Sequence, residues 1–204
     1  MSDVILLIAL VAVVAMVPFL IRCLKLIFLK GKIERQCKKS GALLFWHRNP
    51  FPSALKPQTG FDFTVKAGDR VYRVMLLSAR NRFSEYRFVS PTEIVINKKF
   101  SINLIARGRG LRGMGIHNTV DFGLSTKSLP VDLTIEAEKG EEKILLFYPV
   151  SKDVTWIAPG KGQTFLGSGD LFYHDFRLFT RSAFLEEIAS PGKYLRRVNP
   201  WEKY

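Results

Sequence analysis

The sequence predicts an α+β protein: an N-terminal single transmembrane helix, followed by one mainly antiparallel β-rich domain with a late C-terminal helix. Three observations predict this class. Residues Val4–Ile21 form an uncharged apolar run, VILLIALVAVVAMVPFLI. The segments after residue 60 are short alternating or apolar runs separated by turn-forming residues, as strands are. Only residues 181–189 combine helical spacing of apolar side chains with a Ser-Pro-Gly stop.

The apolar run has the length of a membrane span. Its eighteen residues would form a helix of about 27 Å, close to the thickness of a hydrocarbon core. A cleavable signal peptide would start with a basic segment, whereas this chain starts Met1-Ser2-Asp3 and carries its basic residues after the run. A buried core helix is the other alternative, but soluble domains seldom begin with so long an uncharged segment. We therefore expect a signal-anchor helix over residues 4–29, in contact with the lipid bilayer, whose last apolar residues extend into the interface.

The distribution of charge predicts the topology. The formal net charge is +13, from 31 Lys and Arg against 18 Asp and Glu. Seven cations follow the apolar run within eighteen positions, opposed only by Glu34. This membrane-surface basic cluster consists of Arg22, Lys25, Lys30, Lys32, Arg35, Lys38 and Lys39. The positive-inside rule predicts that residues 1–3 lie outside the cytoplasm and that the C-terminal domain is cytoplasmic. Anionic lipid head groups are the expected partner of the cluster, and nucleic acid is the less favoured one.

The rest of the chain divides into a connection and a domain. Residues 30–60 are expected to form a basic juxtamembrane helix and a Pro-rich connection, with Gly31 separating this helix from the span. On the helix, Glu34 can pair with Lys38 at i, i+4. Residues 61–204 are expected to form the cytoplasmic β-rich domain.

Within the domain the pattern is typical of hairpins. FDFTVKA and RVYRVMLL flank a Gly-Asp turn at residues 68–69, and VDLTIEA and KILLFYPV flank a similar turn at residues 139–141. Further strands are predicted at EYRFV, EIVIN, FSINLIA, DVTWIA and DLFYHDFRLF. The late helix over residues 181–189 is expected to bury Phe184, Leu185 and Ile188. Its Glu186 and Glu187 are expected to point outward.

A glycine-rich stretch, LIARGRGLRGMGIH at residues 104–117, contains the spacing G-x-G-x-x-G. In a dinucleotide-binding fingerprint the third glycine opens a helix whose N-terminus faces the pyrophosphate. Here the following residues lack helical periodicity, so the stretch is interpreted as a basic loop. Its candidate anion-contact residues are Arg107, Arg109 and Arg112. Arginine binds phosphate or carboxylate in a fork, and a solvated surface loop is the alternative.

No catalytic residue, metal site or cofactor is predicted. The histidines, His47, His117 and His174, have no recognised ligand spacing, and His174 is expected on a strand, partly buried between phenylalanines. Asp132 and Glu141 lie in two segments that imitate a metal-dependent nuclease. If they flank one hairpin, about 30 Å separates them, too far for a shared metal.

The favoured function is therefore non-catalytic. We expect a membrane-tethered interaction or adaptor domain with a basic surface for anionic partners, which include an acidic protein. A third alternative is that the chain is a subunit of a larger membrane complex. The competing class is a membrane-tethered hydrolase or nuclease that acts on an anionic substrate. Convergence in one pocket of His117, Asp121, His174 or Asp175, or of any two carboxylates, would favour the enzyme. The two cysteines, Cys23 and Cys37, both precede the domain and predict no disulfide framework.

Overall fold

A computed structural model of the chain describes residues 2–49, 59–79, 84–104, 118–151, 153–158 and 162–194. Within these ranges, the side chains of residues 2–15, 18, 98–104, 118–126, 153 and 158 lie outside the description. The helices are α1 (Ser2–Ser40) and α2 (Arg181–Ala189). The strands are β1 (Leu43–Trp46), β2 (Phe63–Ala67), β3 (Arg70–Leu77), β4 (Ser84–Ser90), β5 (Glu93–Leu104), β6 (Asn118–Pro130), β7 (Glu141–Phe147), β8 (Asp153–Ala158), β9 (Gly162–Phe165) and β10 (Phe176–Thr180).

The predicted α+β class is confirmed for the β-rich domain and its C-terminal helix. The described strands form two five-stranded sheets, in the orders β1-β2-β3-β7-β10 and β6-β5-β4-β8-β9. Most neighbouring strands are antiparallel, but β3 with β7, β7 with β10, and β4 with β8 are parallel. The Gly-Asp turn is confirmed as well, since Ala67 pairs with Arg70 across it and Gly68 adopts a φ of +59° that favours glycine.

Helix α1 is continuous over its 39 residues, so the expected break at Gly31 is wrong. A single glycine inside a helix costs only about 1 kcal/mol relative to alanine. On either side of it, Leu29 and Ile33 are 2% and 0% exposed. Their packing against the domain offsets that cost.

The second half of α1 runs along the first sheet, antiparallel to β3. At one end, Arg22 hydrogen-bonds to Ser78, the residue after β3. At the other, the chain turns after Ser40 into β1, whose Leu43 pairs with Lys66 beside the start of β3. The lengths agree, because eighteen helical residues span about 27 Å and eight strand residues span about 26 Å. Residues before Arg22 therefore project beyond the end of the sheet.

Two apolar clusters hold the layers together. The first lies between α1, α2 and one face of the first sheet, and includes Ile33, Phe63, Val74 and Phe184. The second lies between the two sheets and includes Tyr86, Phe88, Leu145 and Phe176. The first sheet is thus covered by helices on one face and by the second sheet on the other.

The second predicted hairpin, over residues 131–147, is wrong. Strand β7 pairs with β3 and β10, not with residues 131–139. The backbone N–H groups of Val131 and Leu133 instead donate to Thr92 and Pro91, at distances of 3.1 and 2.9 Å. The apolar alternation does predict buried positions, since Val131 and Leu133 are 4% and 0% exposed, but it does not specify which strand is the partner.

Helix α2 begins and ends as predicted, but one of its glutamates points inward. Glu187 is fully buried and accepts hydrogen bonds from the Tyr72 hydroxyl at 2.8 Å and from the backbone N–H of Gly192 at 2.5 Å. It also accepts from the N–H of Tyr194 at 2.8 Å. These donors satisfy the buried carboxylate, and they fix the segment that follows the helix. Helical periodicity alone did not predict them.

Candidate functional site

The middle of α1 carries an exposed apolar surface. The consecutive or near-consecutive residues Met16, Val17, Phe19, Leu20 and Ile21 are between 39% and 52% exposed. They occupy every side of the helix, because five of six successive positions cover more than one turn. A helix that is apolar on all sides is normally buried in protein or in lipid. Further along, one side remains apolar and exposed through Leu24, Ile27 and Phe28.

None of the helices, as far as their residues are described, has the length and apolarity needed to span a bilayer. Of the predicted span Val4–Ile21, the side chains of residues 4–15 and Pro18 lie outside the described part of the chain. The predicted transmembrane helix therefore stays a prediction.

Arg22 marks the point where α1 meets the domain. Its Nε donates to Ser78 Oγ at 2.8 Å, and its Nη2 donates to the Ser78 carbonyl oxygen at 2.7 Å. Two hydrogen bonds from one planar guanidinium hold the helix at a defined angle as well as a defined position. This arginine thus separates the projecting part of α1 from the part that packs on the sheet.

After Arg22, a narrow stripe of α1 is buried in the domain core. Leu26, Leu29, Ile33 and Cys37 are between 0% and 2% exposed and belong to the first apolar cluster. Their spacing of three or four residues places them on one helix face. The residues that are expected to extend the span into the interface therefore face two different environments. Leu26 and Leu29 lie against the sheet, whereas Leu24, Ile27 and Phe28 are exposed.

The predicted basic cluster is spread along the helix. Lys25, Lys32, Arg35, Lys38 and Lys39 are exposed, whereas Arg22 and Lys30 are half-buried. Because α1 is continuous, the cations extend over about 26 Å from the first to the last. This length is about three times the Debye length at physiological salt, so the cluster cannot act as one charge centre.

The ion pair within this region differs from the expected one. Glu34 lies 3.8 Å from Lys30, one turn before it, instead of pairing with Lys38. Lys30 also lies over the ring of Trp46, 5.3 Å from its centroid. The cation–π contact favours the rotamer that brings Lys30 back toward the domain, and it leaves Lys38 exposed.

The two cysteines are free thiols in different surroundings. Cys23 is half-buried and Cys37 is buried in the first apolar cluster. Burial, with a smaller contribution from the charge of Glu34, raises the pKa of the Cys37 thiol to about 11. At neutral pH this thiol is protonated and unreactive.

Residues 105–117 of the glycine-rich stretch lie outside the described residues, and with them Arg107, Arg109, Arg112 and His117. Its flanks are described: the chain leaves β5 at Leu104 and returns in β6 at Asn118, which is the antiparallel partner of Leu104. A dinucleotide fingerprint belongs to a parallel β-α-β unit, so this hairpin topology argues against one. The side chain of Asp121 is not described either.

The described histidines are not brought together. His174 is exposed in a 3₁₀ turn, with a φ of +48°, so the prediction of a partly buried strand position is wrong. The turn separates Phe172 from Phe176, and both rings pack into the core while His174 points away. His47 Nε2 lies 2.7 Å from Thr64 Oγ1 of β2, toward the opposite edge of the first sheet from β10. Among the described residues, no three His, Cys, Asp or Glu side chains are grouped to hold a metal ion.

The two segments that imitate a nuclease serve other purposes. Asp132 Oδ1 accepts hydrogen bonds from the backbone N–H and hydroxyl of Thr134, which closes a local turn. Glu141 accepts from Arg73 Nε at 2.8 Å, and this bond lowers the pKa of the Glu141 carboxyl. Asp132 and Glu141 do not flank one hairpin, because β7 pairs with β3 and β10, and each carboxylate is engaged by its own partner.

A polar network on the outer face of the second sheet was not predicted. Glu85, only 6% exposed, accepts hydrogen bonds from Arg87, Asn97 and Gln163 at 3.1, 3.2 and 3.0 Å. These residues come from β4, β5 and β9, and Gln163 reaches Glu85 across the intervening strand β8, where it also donates to Thr155. The network therefore ties four neighbouring strands together across the sheet. Alternation predicts that such side chains share a face, but not that their lengths let them meet. The donors satisfy the carboxylate, as a structural network requires.

Comparison with known proteins gives no relative: no family model, no curated protein and no solved structure matches the chain.

Proposed function

We propose that this chain is a single-pass membrane-anchored protein whose β-rich domain lies in the cytoplasm and acts as an interaction domain. The observation that carries the proposal is the exposed apolar surface of α1 from Met16 to Phe28. Eight large apolar side chains in this stretch are between 39% and 62% exposed. Soluble monomers rarely leave so large an apolar patch in water. Its first six positions, Met16–Ile21, are also the end of the uncharged run Val4–Ile21, which a bilayer would cover.

The charge pattern supports the cytoplasmic side for the domain. Basic residues begin at Arg22, next to the end of the uncharged run, whereas residues 1–3 contain no lysine or arginine. Lysine and arginine close to a span are retained on the cytoplasmic side. Arg22 and Lys25 lie within about 5 Å of each other along the helix axis, at the level where head groups would begin.

The far half of the basic cluster supports the interaction role. Lys32, Arg35, Lys38 and Lys39 are exposed and lie about 15–26 Å beyond Arg22 along α1. Head groups at the level of Arg22 are screened at that distance. These four cations therefore present a surface to an anionic partner in the cytoplasm, such as an acidic protein segment.

Alkaline carbonate extraction tests the anchor. The full chain is expressed in cells, and the membranes are extracted and then floated on a density gradient, which separates inserted protein from aggregates. In the double variant Met16→Asp, Leu20→Asp, each aspartate costs up to about 3 kcal/mol of insertion free energy at the centre of a span. Both side chains are 52% exposed, so the substitutions leave the domain core intact.

The matched control is Leu43→Asp, Phe45→Asp, on β1. These side chains are 56% and 54% exposed, so the control adds the same charge at the same exposure but away from α1. We expect the unmodified chain and the control to float with the membranes, and the α1 variant to be released. Release of the unmodified chain, or flotation of the α1 variant at the same fraction, would contradict the proposal.

A further inference from the structure

The end of the first sheet that lies beside Arg22 has a defined composition. Because β3, β7 and β10 are parallel, they finish at this same end, at Leu77, Phe147 and Thr180. The residues that follow them form what we call the rim. The rim consists of residues 78–79, 148–151 and 181–182, together with Thr180 at the end of β10.

The rim is held together by hydrogen bonds between the strand ends. The N–H of Tyr148 donates to the Leu77 carbonyl at 2.8 Å, and the N–H of Ala79 donates to the Pro149 carbonyl at 3.1 Å. Arg181 Nη1 donates to the Tyr148 hydroxyl at 3.2 Å, and its guanidinium lies 5.2 Å from the centroid of that ring. The rim is thus one connected surface.

Its chemistry suits the region of lipid head groups. Tyr148 and Arg181 are half-exposed and Val150 is 37% exposed. Tyrosine and arginine are favoured at the boundary between water and hydrocarbon, where one part of each side chain is apolar and the other is polar or charged. The rim contains no aspartate or glutamate. At the other end of the same strands, Glu141 and Glu142 form ion pairs.

We propose that the rim contacts the lipid head groups, so that the domain sits on the membrane in one fixed orientation with β3, β7 and β10 pointing at the bilayer. This inference rests on the proposed membrane anchor. It follows from the continuity of α1, since the helix has no break between the exposed apolar stretch and the part packed on the sheet. Arg22 fixes the junction by its two hydrogen bonds to Ser78, which is itself a rim residue. A flexible tether would let the domain rotate relative to the membrane, whereas a continuous helix fixes the orientation of the domain.

Fluorescence quenching at the two ends of β7 tests the orientation. Single cysteines are introduced as Val150→Cys in the rim and Lys139→Cys in the exposed turn at the other end. The background is Cys23→Ser, and Cys37, which is 2% exposed, is expected to stay unlabelled in the folded chain. The seven residues of β7 separate the two positions by about 23 Å. Each full-length variant carries an environment-sensitive dye and is reconstituted into vesicles of phosphatidylcholine and phosphatidylglycerol, with or without nitroxide on the head groups.

We expect the dye at position 150 to lose most of its fluorescence to the head-group nitroxide and the dye at position 139 to keep nearly all of it. Equal quenching at the two positions, or stronger quenching at position 139, would overturn the orientation. Flotation of the same vesicles is measured in parallel. If the chain floats but the dyes at the two positions are quenched equally, only the proposed contact between the rim and the head groups is refuted. If the chain does not float, both that contact and the proposed membrane anchor are refuted.

Discussion

Replacing Ile33 by alanine tests whether α1 is part of the domain core. Ile33 is fully buried in the cluster between α1, α2 and the first sheet. The substitution removes three carbon atoms, worth about 2.4 kcal/mol at about 0.8 kcal/mol per buried methylene. Incomplete collapse of the cavity raises the loss into the range of about 3–4 kcal/mol. The matched control is Ile27→Ala, on the same helix but 49% exposed, which should change the free energy of unfolding by less than about 0.5 kcal/mol.

The assay is urea unfolding of the full chain in detergent micelles, followed by tryptophan fluorescence. Trp46 reports on this region, because it packs against the same cluster and lies 4.6 Å from the ring of Phe63. A loss of 3 kcal/mol should lower the unfolding midpoint by about 1.5 M urea for a slope near 2 kcal/mol/M. Equal midpoints for Ile33→Ala and Ile27→Ala would refute the packing of α1 on the sheet.

Further experiments test separate parts of the structure. Glu187→Gln should lower the free energy of unfolding by about 1–3 kcal/mol in the same urea assay. The reason is that the new amide nitrogen would face a backbone N–H group that now donates a hydrogen bond to the carboxylate. An unchanged midpoint would mean that the buried network contributes nothing to stability. Cys37 should resist maleimide at pH 7 in the folded chain and react in urea, as mass spectrometry of the labelled site will show. Since burial raises its pKa from 9.0 to about 11, the unfolded chain releases this proton first, so stability should be unaffected by this thiol below pH 9.0 and fall as the pH rises toward 11. Lys38→Glu with Lys39→Glu should leave flotation with phosphatidylglycerol vesicles unchanged at physiological salt, because these residues lie about 24 Å beyond Arg22; a large loss of flotation would place them at the membrane surface.

The regular elements with strong periodicity were predictable, and the pairing between them was not. Residues 181–189 and the hairpin of β2 and β3 follow from spacing and turn residues alone. Strand β6 was missed because its sequence contains Gly123 and little alternation. Its partner β5 supplies the register, with an irregularity at Lys98–Lys99 opposite Gly123.

Those features of the candidate site that depend on one continuous segment of the chain were predictable from the sequence, and the contacts between distant residues were not. The apolar run and the basic residues after it are visible in the sequence, as is the exposed character of Lys38 and Lys39. The bond from Arg22 to Ser78 joins residues 56 positions apart, and no local pattern encodes it. The inward position of Glu187 likewise depends on Tyr72, which lies 115 positions away.

Protease protection tests the anchored topology most directly. Cells that express the full chain are converted into sealed right-side-out vesicles and sealed inverted vesicles, and each is treated with protease before the remaining fragments are identified by mass. If α1 anchors the chain with its basic residues inside, the domain should be digested in inverted vesicles and protected in right-side-out vesicles. Digestion in right-side-out vesicles, or loss of the chain from both preparations on washing, would contradict the account.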